Sequence, residues 1–308
     1  MMREVLAVLA PNSFGVYIDG TLGGGSHAES ILEASQPLGH LVGFDRDGDA
    51  IEAARGKLER FKGRFQLVRE NFSKMDHYVK SESSDGVLLD LGVSSHQLDT
   101  PERGFGFNAD GPLDMRMDCR SGRTAGDLLN SLSAEELARI FWENGGERDS
   151  RRIARTLVRE RELRTIESTG QLASLVEKVC PRRGRKSHPA TRVFQALRVE
   201  VNDEIGSLRH GLSAALRVLK PGGRLAIITF DSLQDRVTKD FFRAAARDYR
   251  VSGEVDDPLL RIPRRPDAKL LFSRAVEPGD DELEKNPRAR SAQLRALEKL
   301  ANGTQSKN

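Results

Sequence analysis

Apolar positions in the first hundred residues fall into short runs that alternate with segments of helical spacing. Val16-Tyr17-Ile18-Asp19 predicts a short buried strand, followed by a glycine-rich loop and a helix over 28–34. Residues 40–45 predict a second strand, and 49–61 a helix whose Ile51, Ala54 and Leu58 share one face. A third strand is expected at 65–68 and a fourth, apolar throughout, at 86–91. Strict alternation of strand and helix implies right-handed crossovers and a parallel sheet with helices on both faces. The fold class read from the pattern is therefore α/β, doubly wound and Rossmann-like.

The alternation then stops. Residues 94–118 mix Gly, Pro, Asp and Asn with little periodicity and read as a long ordered loop. From about 125 to 177 the pattern is helical and polar, with helices expected at 134–142, 151–162 and 169–179 before a basic breaker at 181–189. Val193, Leu197, Val201, Ile205, Leu208, Leu212 and Leu216 lie on one stripe, which predicts a single helix over 191–219. Lys220-Pro221-Gly222-Gly223 turns into a buried strand at 224–230, where the sheet resumes. The expected domains are a first sheet part at 1–107, a helical insertion at 108–195 and a second sheet part at 196–308. Residues 254–268 read as a Pro-rich basic loop, 305–308 as a frayed tail, and Trp142 and Tyr78 as packing residues.

Composition narrows the class. The 308 residues are 38% hydrophobic and 31% charged, enough apolar material for a core and too much for a disordered chain. No apolar run approaches the roughly 18 residues that cross a bilayer, and the start, MMREVLAVLAPN, lacks a signal-peptide core and cleavage site. Cys119 and Cys180 form neither a disulfide framework nor a zinc pattern. The expectation is a soluble cytoplasmic protein with no membrane partner and no metal. Its net charge is only +3, but residues 148–198 hold 14 Lys/Arg against 5 Asp/Glu, a surplus of nine, while the remainder is about −6. That asymmetry favours a polyanion-facing segment over an ordinary solvated helix face.

The chemistry gathers at the strand ends. The first strand runs into Asp19-Gly20-Thr21-Leu22-Gly23-Gly24-Gly25-Ser26-His27, where glycines let the backbone approach a ligand beside a helix N-terminus. Twenty residues past Gly25, the second strand ends in Asp45, placed to accept both hydrogen bonds of a ribose diol. Gly23-x-Gly25-x-x-Ala28 also matches the dinucleotide fingerprint, so the loop alone does not separate NAD from another adenosine cofactor. A dehydrogenase would need a Lys, Tyr or His over a nicotinamide, and no such constellation is found. A non-catalytic RNA-binding factor would be marked by a ruined loop or a lost Asp45 or Asp90, and all are intact. The Lys220–Gly223 turn resembles the lead-in to the fifth strand of S-adenosylmethionine-dependent methyltransferases. The fourth strand ends in Asp90, at the edge where such sheets bind ligands.

Longer motifs carry a closer resemblance. Asp90-Leu-Gly-Val-Ser-Ser-His-Gln97, Glu102-Arg-Gly-Phe-Gly-Phe, Gly111-Pro-Leu-Asp-Met-Arg-Met-Asp118, His188-Pro-Ala-Thr-Arg192, Phe230-Asp-Ser-Leu-Gln-Asp-Arg236 and Asn286-Pro-Arg-Ala-Arg-Ser291 follow in order. They resemble the successive motifs of the bacterial small-subunit rRNA cytosine-N4 methyltransferase family, RsmH or MraW. The resemblance implies a methyltransferase sheet with an inserted helical domain, S-adenosyl-L-methionine as cofactor, and as partner the 16S rRNA near the decoding centre, within the small ribosomal subunit. It carries cofactor contacts onto Gly25, Ser26, His27, Asp45, Phe72, Asp90 and Gln97. Ser26 stands where the family usually has glycine, Asp231 where it usually has histidine, and the family's usual early histidine is missing.

Among the remaining candidates, Arg182, Arg183, Arg185 and Lys186, with Arg192 and Arg198, are expected to meet RNA. Of the last two, at least one is placed for phosphate and the other can serve as an ion-pair partner. His188 reads as a base or, preferably, as a helix-opening residue, and Asp114 and Asp118 as base-pocket or turn residues. Methylating carbon 5 of cytosine requires a cysteine nucleophile, and neither Cys119 nor Cys180 lies at a strand end. The exocyclic N4 amine needs only closeness to the methyl and acceptors for its N–H groups. Asp90, Ser94 and Ser95, where the fourth strand ends, are the acceptors expected; Asp90 and Ser94 are thus the catalytic candidates. The oligomeric state is not readable.

Overall fold

The computed structural model describes residues 1–182, 188–251 and 258–301. They form two compact units, Met1–Gly92 with Ile205–Asn308, and Val93–Glu204. The first unit opens with α1 (Met2–Leu9), β1 (Val16–Asp19), α2 (Ser26–Ala34), β2 (His40–Phe44), α3 (Gly48–Leu58), β3 (Phe65–Val68), α4 (Met75–Tyr78) and β4 (Ser84–Asp90). The second holds α5 (Ser95–Asp99), α6 (Ala125–Ser131), α7 (Ala134–Glu143), α8 (Ser150–Leu163), α9 (Thr169–Val179) and α10 (Thr191–Val201). The first then resumes with α11 (Glu204–Val218), β5 (Leu219–Thr229), α12 (Ser232–Ala245), β6 (Tyr249–Val251), β7 (Arg261–Pro263), β8 (Ala268–Leu270), α13 (Asp280–Lys285) and β9 (Gln293–Lys299).

In the first unit, seven strands form one sheet in the order β3-β2-β1-β4-β5-β9-β8. Strands β3 to β5 run parallel, while β9 is antiparallel to both β5 and β8. Pleating sends alternate side chains to opposite faces. Ile18, Phe44, Val87 and Leu89 join Leu208 and Leu212 of α11 in one core; Tyr17, Leu41 and Leu88 join Ile31, Ile51 and Ala54 of α2 and α3 in the other. Covered on both faces, β4 reads as an unbroken apolar run. Chain order departs in opposite directions from β1, toward β2 on one side and β4 on the other. This is the switch point at which open α/β sheets hold ligands.

Strand β5 begins earlier than its apolar run. Leu219 pairs with Ser84 and Arg224 with Gly86, so Lys220–Gly223 bulge out opposite Asp85, which Lys220 bridges. Gly222, at φ 82°, supplies the left-handed turn this needs.

The second unit has its own core, built on Phe141, Ile153, Leu157, Leu172, Val176, Val193 and Leu197. The helical insertion expected at 108–195 lies within the residues of this unit. Its helices start where polar caps dictate: Thr124 with Asp127 and Ser133 with Glu136 form reciprocal boxes, and the Ser168 hydroxyl accepts from the Gln171 N–H.

Three expectations are corrected, and one strand was not foreseen. The single helix over 191–219 is two, broken at Asn202 and at Asp203, whose φ is 44°. The continuous stripe misled because Leu197 belongs to the second unit's core and Leu208 to the first's. Residues 254–257 lie outside the described residues, but Arg261–Pro263, expected in the loop, pairs antiparallel with Tyr249–Val251 as a strand. Trp142 is 58% exposed and not a packing residue; Tyr78 is half exposed, its ring edge-on to Phe44 at 5.8 Å. Strand β9 escaped notice because its Arg295 and Glu298 interrupt the apolar positions; they pair with Asp235 and with Arg224 and Lys269.

Asn202 ties α10 to the loop before α6. Its Oδ1 accepts from the Met117 N–H at 2.8 Å, and its Nδ2 donates to the carbonyls of Met115 at 2.7 Å and Arg198 at 2.9 Å. Asn202→Ala leaves buried backbone groups without these partners, each at about 1–3 kcal/mol. A loss of roughly 2–4 kcal/mol in urea denaturation is expected, and a loss within experimental error would show that the loop does not depend on this amide.

Candidate active site

The segment between β1 and α2 is stitched to both neighbouring strands. Gly20 N–H donates to the Leu88 carbonyl and Leu22 N–H to the Phe44 carbonyl, each at 2.9 Å, and Gly25 N–H closes on Leu22 at 2.8 Å. Gly25 precedes α2 at φ 79°, and a Cβ there would lie 3.1 Å from the Ala54 Cβ of α3. Left-handed backbone and helix–helix proximity both require glycine at that point. No side chain caps α2, so its first N–H groups remain available to a ligand. Ser26, the departure from glycine, is accommodated: its hydroxyl accepts from Lys57 Nζ at 2.9 Å.

Asp45 holds this loop from the end of β2. One carboxylate oxygen accepts from Gly23 N–H and the other from Asp47 N–H, both at 2.9 Å. Each oxygen retains a further lone pair. Burial raises the Asp45 pKa in spite of these hydrogen bonds.

Two more acids end the adjacent strands. Asp19, closing β1, is 1% exposed; its Oδ1 accepts from Thr21 N–H at 3.2 Å and its buried Oδ2 has no partner. Burial, with the charges of Asp90 and Asp45 adding and the Thr21 N–H opposing, pushes its pKa up to about 7. Asp90, closing β4, donates its backbone N–H to Thr21 Oγ1 at 2.6 Å. Its Oδ2 lies 3.5 Å from His27 Nδ1, and its Oδ1 is buried and unpartnered. Burial raises the Asp90 pKa against the pull of His27, and burial lowers that of His27, whose Nε2 is likewise buried without a partner. Orphaned buried polar atoms are rare in folded proteins. Asp19 Oδ2, Asp90 Oδ1 and His27 Nε2 are thus three polar atoms that a ligand could satisfy.

The other candidates are distributed as follows. Phe72 follows β3 and is 7% exposed, with its ring over Gly211 of α11, where a Cβ would come within 2.3 Å of it. Ser94 and Gln97 lie in the second unit and form the capping box of α5: the Ser94 hydroxyl accepts from Gln97 N–H, and Gln97 Oε1 from Ser94 N–H. Arg198 is the ion-pair member of its pair, bidentate to Glu204 at 2.7 and 3.0 Å, whereas Arg192 is exposed. Arg182 is exposed; Arg183, Arg185 and Lys186 lie outside the described residues. His188 takes the helix-opening role, its Nδ1 accepting from Ala190 N–H at 3.2 Å and its ring 4.8 Å from that of Phe107. Asp114 and Asp118 each hold the following arginine, Arg116 and Arg120, in a turn. Asp231, in place of the usual histidine, caps α12 by accepting from Leu233 and Gln234 N–H. Asp19 and Thr21 were missed as site residues. Asp19 carried the same signal as Asp90, an acid closing an apolar strand.

A doubly wound α/β unit with a glycine loop and acids on three adjacent strand ends belongs to the class that binds its ligand at the carboxyl edge of the sheet. The chain belongs to the MraW methylase family, whose profile matches residues 1–300. It is 51% identical over 305 residues to a ribosomal RNA small subunit methyltransferase H of Geobacter sulfurreducens, covering 97% of each chain. It is 45% identical over 306 residues to the protein of the same name in Heliobacterium modesticaldum, again over 97% of each. Among solved structures it is similar to an rRNA methylase from Streptococcus thermophilus, with a TM-score of 0.43 and 13% identity, covering 97% of this chain and 94% of that one.

The buried acid of β1 has a pH signature. Folded Asp19 keeps its proton to about pH 7, whereas the unfolded carboxyl loses it near 3.8. Between those values unfolding releases a proton, so stability falls as pH rises through the window. Asp19→Asn keeps an acceptor for Thr21 N–H but removes the titration. Urea midpoints between pH 4.5 and 7.5 should decline less in the variant, and parallel profiles would show that Asp19 ionises normally.

Proposed function

We propose that this protein transfers a methyl group from S-adenosyl-L-methionine to the N4 amine of a cytosine in 16S rRNA of the small ribosomal subunit, near the decoding centre. Family membership and the names of relatives sharing about half of its residues support an rRNA methyltransferase. The observation that carries the cofactor assignment is the set of unsatisfied buried atoms on Asp19, Asp90 and His27 beside an uncapped helix N-terminus. The free lone pairs of Asp45 suit a ribose diol. The N–H groups of Ser26 and His27, at the start of α2, suit a carboxylate, and the acids at the strand ends suit a cationic ligand. Phe72 and Gln97 complete the set that the family resemblance implies. When bound, the cofactor supplies an electrophilic methyl on a sulfonium.

The protein's part is to hold and orient. An aromatic amine spreads its lone pair into the ring, so its N–H groups must be accepted while the nitrogen is kept close to the methyl. Asp90 Oδ1, buried and without a partner, is the acceptor we assign. Ser94 Oγ accepts from Gln97 N–H and keeps a second lone pair, so it is the further acceptor we assign. Carbon-5 chemistry is disfavoured by the cysteines. Cys180 is 3% exposed with its thiol pushed up by burial, and Cys119 sits on an exposed loop. The substrate RNA supplies the polyanion for the basic second unit, where Arg182 and Arg192 are exposed. No helix among the described residues is long and apolar enough to cross a membrane.

Two measurements test this reading. Asp45→Ala should weaken S-adenosylhomocysteine binding in calorimetry by roughly ten- to a hundredfold, given about 1.5–3 kcal/mol per hydrogen bond to a charged acceptor. Unchanged affinity removes Asp45 from the site. The Cys119→Ser, Cys180→Ser double variant should methylate undermodified small subunits at the wild-type rate, with the methyl mapped to N4 by mass spectrometry. Lost transfer in a folded double variant, with a covalent RNA adduct trapped on the wild type, would overturn the N4 assignment.

A further inference from the structure

Trp142 is the chain's one tryptophan, and it stands in the last turn of α7 with 58% of its surface exposed. The same helix buries Leu137, Ile140 and Phe141, so the indole points away from the core that α7 covers. Among the described residues it stacks on no other ring and lies under no cation. An isolated surface apolar residue needs no explanation; this one sits in a rigid and cationic setting that gives it one.

The α7–α8 connection is folded tightly behind it. The Trp142 carbonyl accepts from Gly146 N–H and the Phe141 carbonyl from Glu147 N–H, both at 3.0 Å. The Gly146 carbonyl in turn accepts from Arg192 Nη1 at 3.3 Å, and Asn144 Nδ2 donates to Glu200 at 2.9 Å, which fastens the tip to α10. Arg148 and Arg151 follow in the next few residues, exposed and without an ion-pair partner among the described residues. The acids of the tip are committed elsewhere: Glu143 to Arg139, Asp149 to Arg152, and Glu147 buried while accepting from Asp149 N–H. What remains exposed at the tip is one large π-surface, with Arg148 and Arg151 exposed in the residues that follow it and Arg192 bonded to the same connection through Gly146. Single-stranded nucleic acid offers the complement, flat bases joined by phosphates.

We propose that the tip of the α7–α8 hairpin is a binding site for single-stranded RNA, where an unstacked base lies on Trp142 and the adjoining phosphates meet Arg148, Arg151 and Arg192. The site rests on the reading of RNA as substrate and adds to it the segment that grips the strand outside the methylated base. A base stacked on an indole is held whatever its identity, so the tip contributes affinity and register rather than sequence choice.

The single tryptophan makes the test direct. A single-stranded fragment of small-subunit rRNA, added to the full-length protein, should quench the tryptophan emission saturably, at the concentration where anisotropy of the labelled fragment reports binding. S-adenosylhomocysteine alone should leave the emission unchanged. Heparin, a polyanion without bases, should bind and leave it unquenched. Trp142→Ala should weaken RNA binding about tenfold and raise the KM for RNA with kcat and S-adenosylhomocysteine affinity kept, whereas Trp142→Phe should stay within about threefold of wild type. Arg148→Gln should reduce the slope of log affinity against log salt by about one. RNA that binds and is methylated with unaltered emission, equal quenching by heparin, or wild-type affinity in Trp142→Ala overturns the site and leaves the enzyme assignment standing. A wild-type protein that neither binds nor methylates small-subunit RNA overturns both.

Discussion

One carboxylate couples the glycine loop after β1 to the crossover that follows β2. Asp45 gives one oxygen to the backbone of Gly23 and the other to that of Asp47. The first bond fixes the loop leaving β1; the second fixes the turn into α3, where Asp47 itself caps the helix by accepting from Asp49 N–H. Two crossovers of the sheet are thus pinned by a side chain that belongs to the strand between them. A ribose at this position would meet an acceptor already oriented, with no conformational freedom left to lose.

The neighbouring acids obey the opposite logic. Asp19 is enclosed and Asp90 part-buried, and each has one buried oxygen without a hydrogen-bond partner among the described residues. Parallel strands end in register at the switch point, so their terminal side chains crowd together, and burial raises the cost of every charge placed there. Such a cluster is tolerated because the sheet beneath it is rigid: Tyr17, Ile18, Leu88 and Leu89 are wholly buried around the strand tips. The site is therefore poor in solvation and rich in acceptors. Those are the conditions under which a cationic ligand is held by environment rather than by any single bond.

Local pattern carried much of this in the sequence. Strands β1 to β4 were readable because both of their faces are buried, and Asp45 and Asp90 because each is the polar residue that stops an apolar run. Tertiary facts were not readable. The Asn202–Asp203 break is invisible in an apolar stripe that serves two cores in turn. Phe72 looked like a ligand wall and equally like a core residue, and only its seat over Gly211 shows how deep it lies. The roles of Arg192 and Arg198, alike in sequence, separate only once Glu204 is seen to take both arms of the second. Exposure was the quantity least available: nothing in the heptad around Trp142 distinguishes an outward indole from a packed one.

The chain order of the first unit has a consequence for how the protein is made. Strand β4 is apolar on both faces, and its partner β5 follows more than a hundred residues later, after the whole of the second unit. A ribosome emitting this chain releases a half-built sheet whose newest strand has an open edge, then a helical unit whose own core is complete by Glu204. The strand that pairs with β4 is synthesised only after the whole of the second unit. Until Leu219–Thr229 emerges, β4 has no β5 to pair with, and an unpaired apolar strand edge is an aggregation hazard.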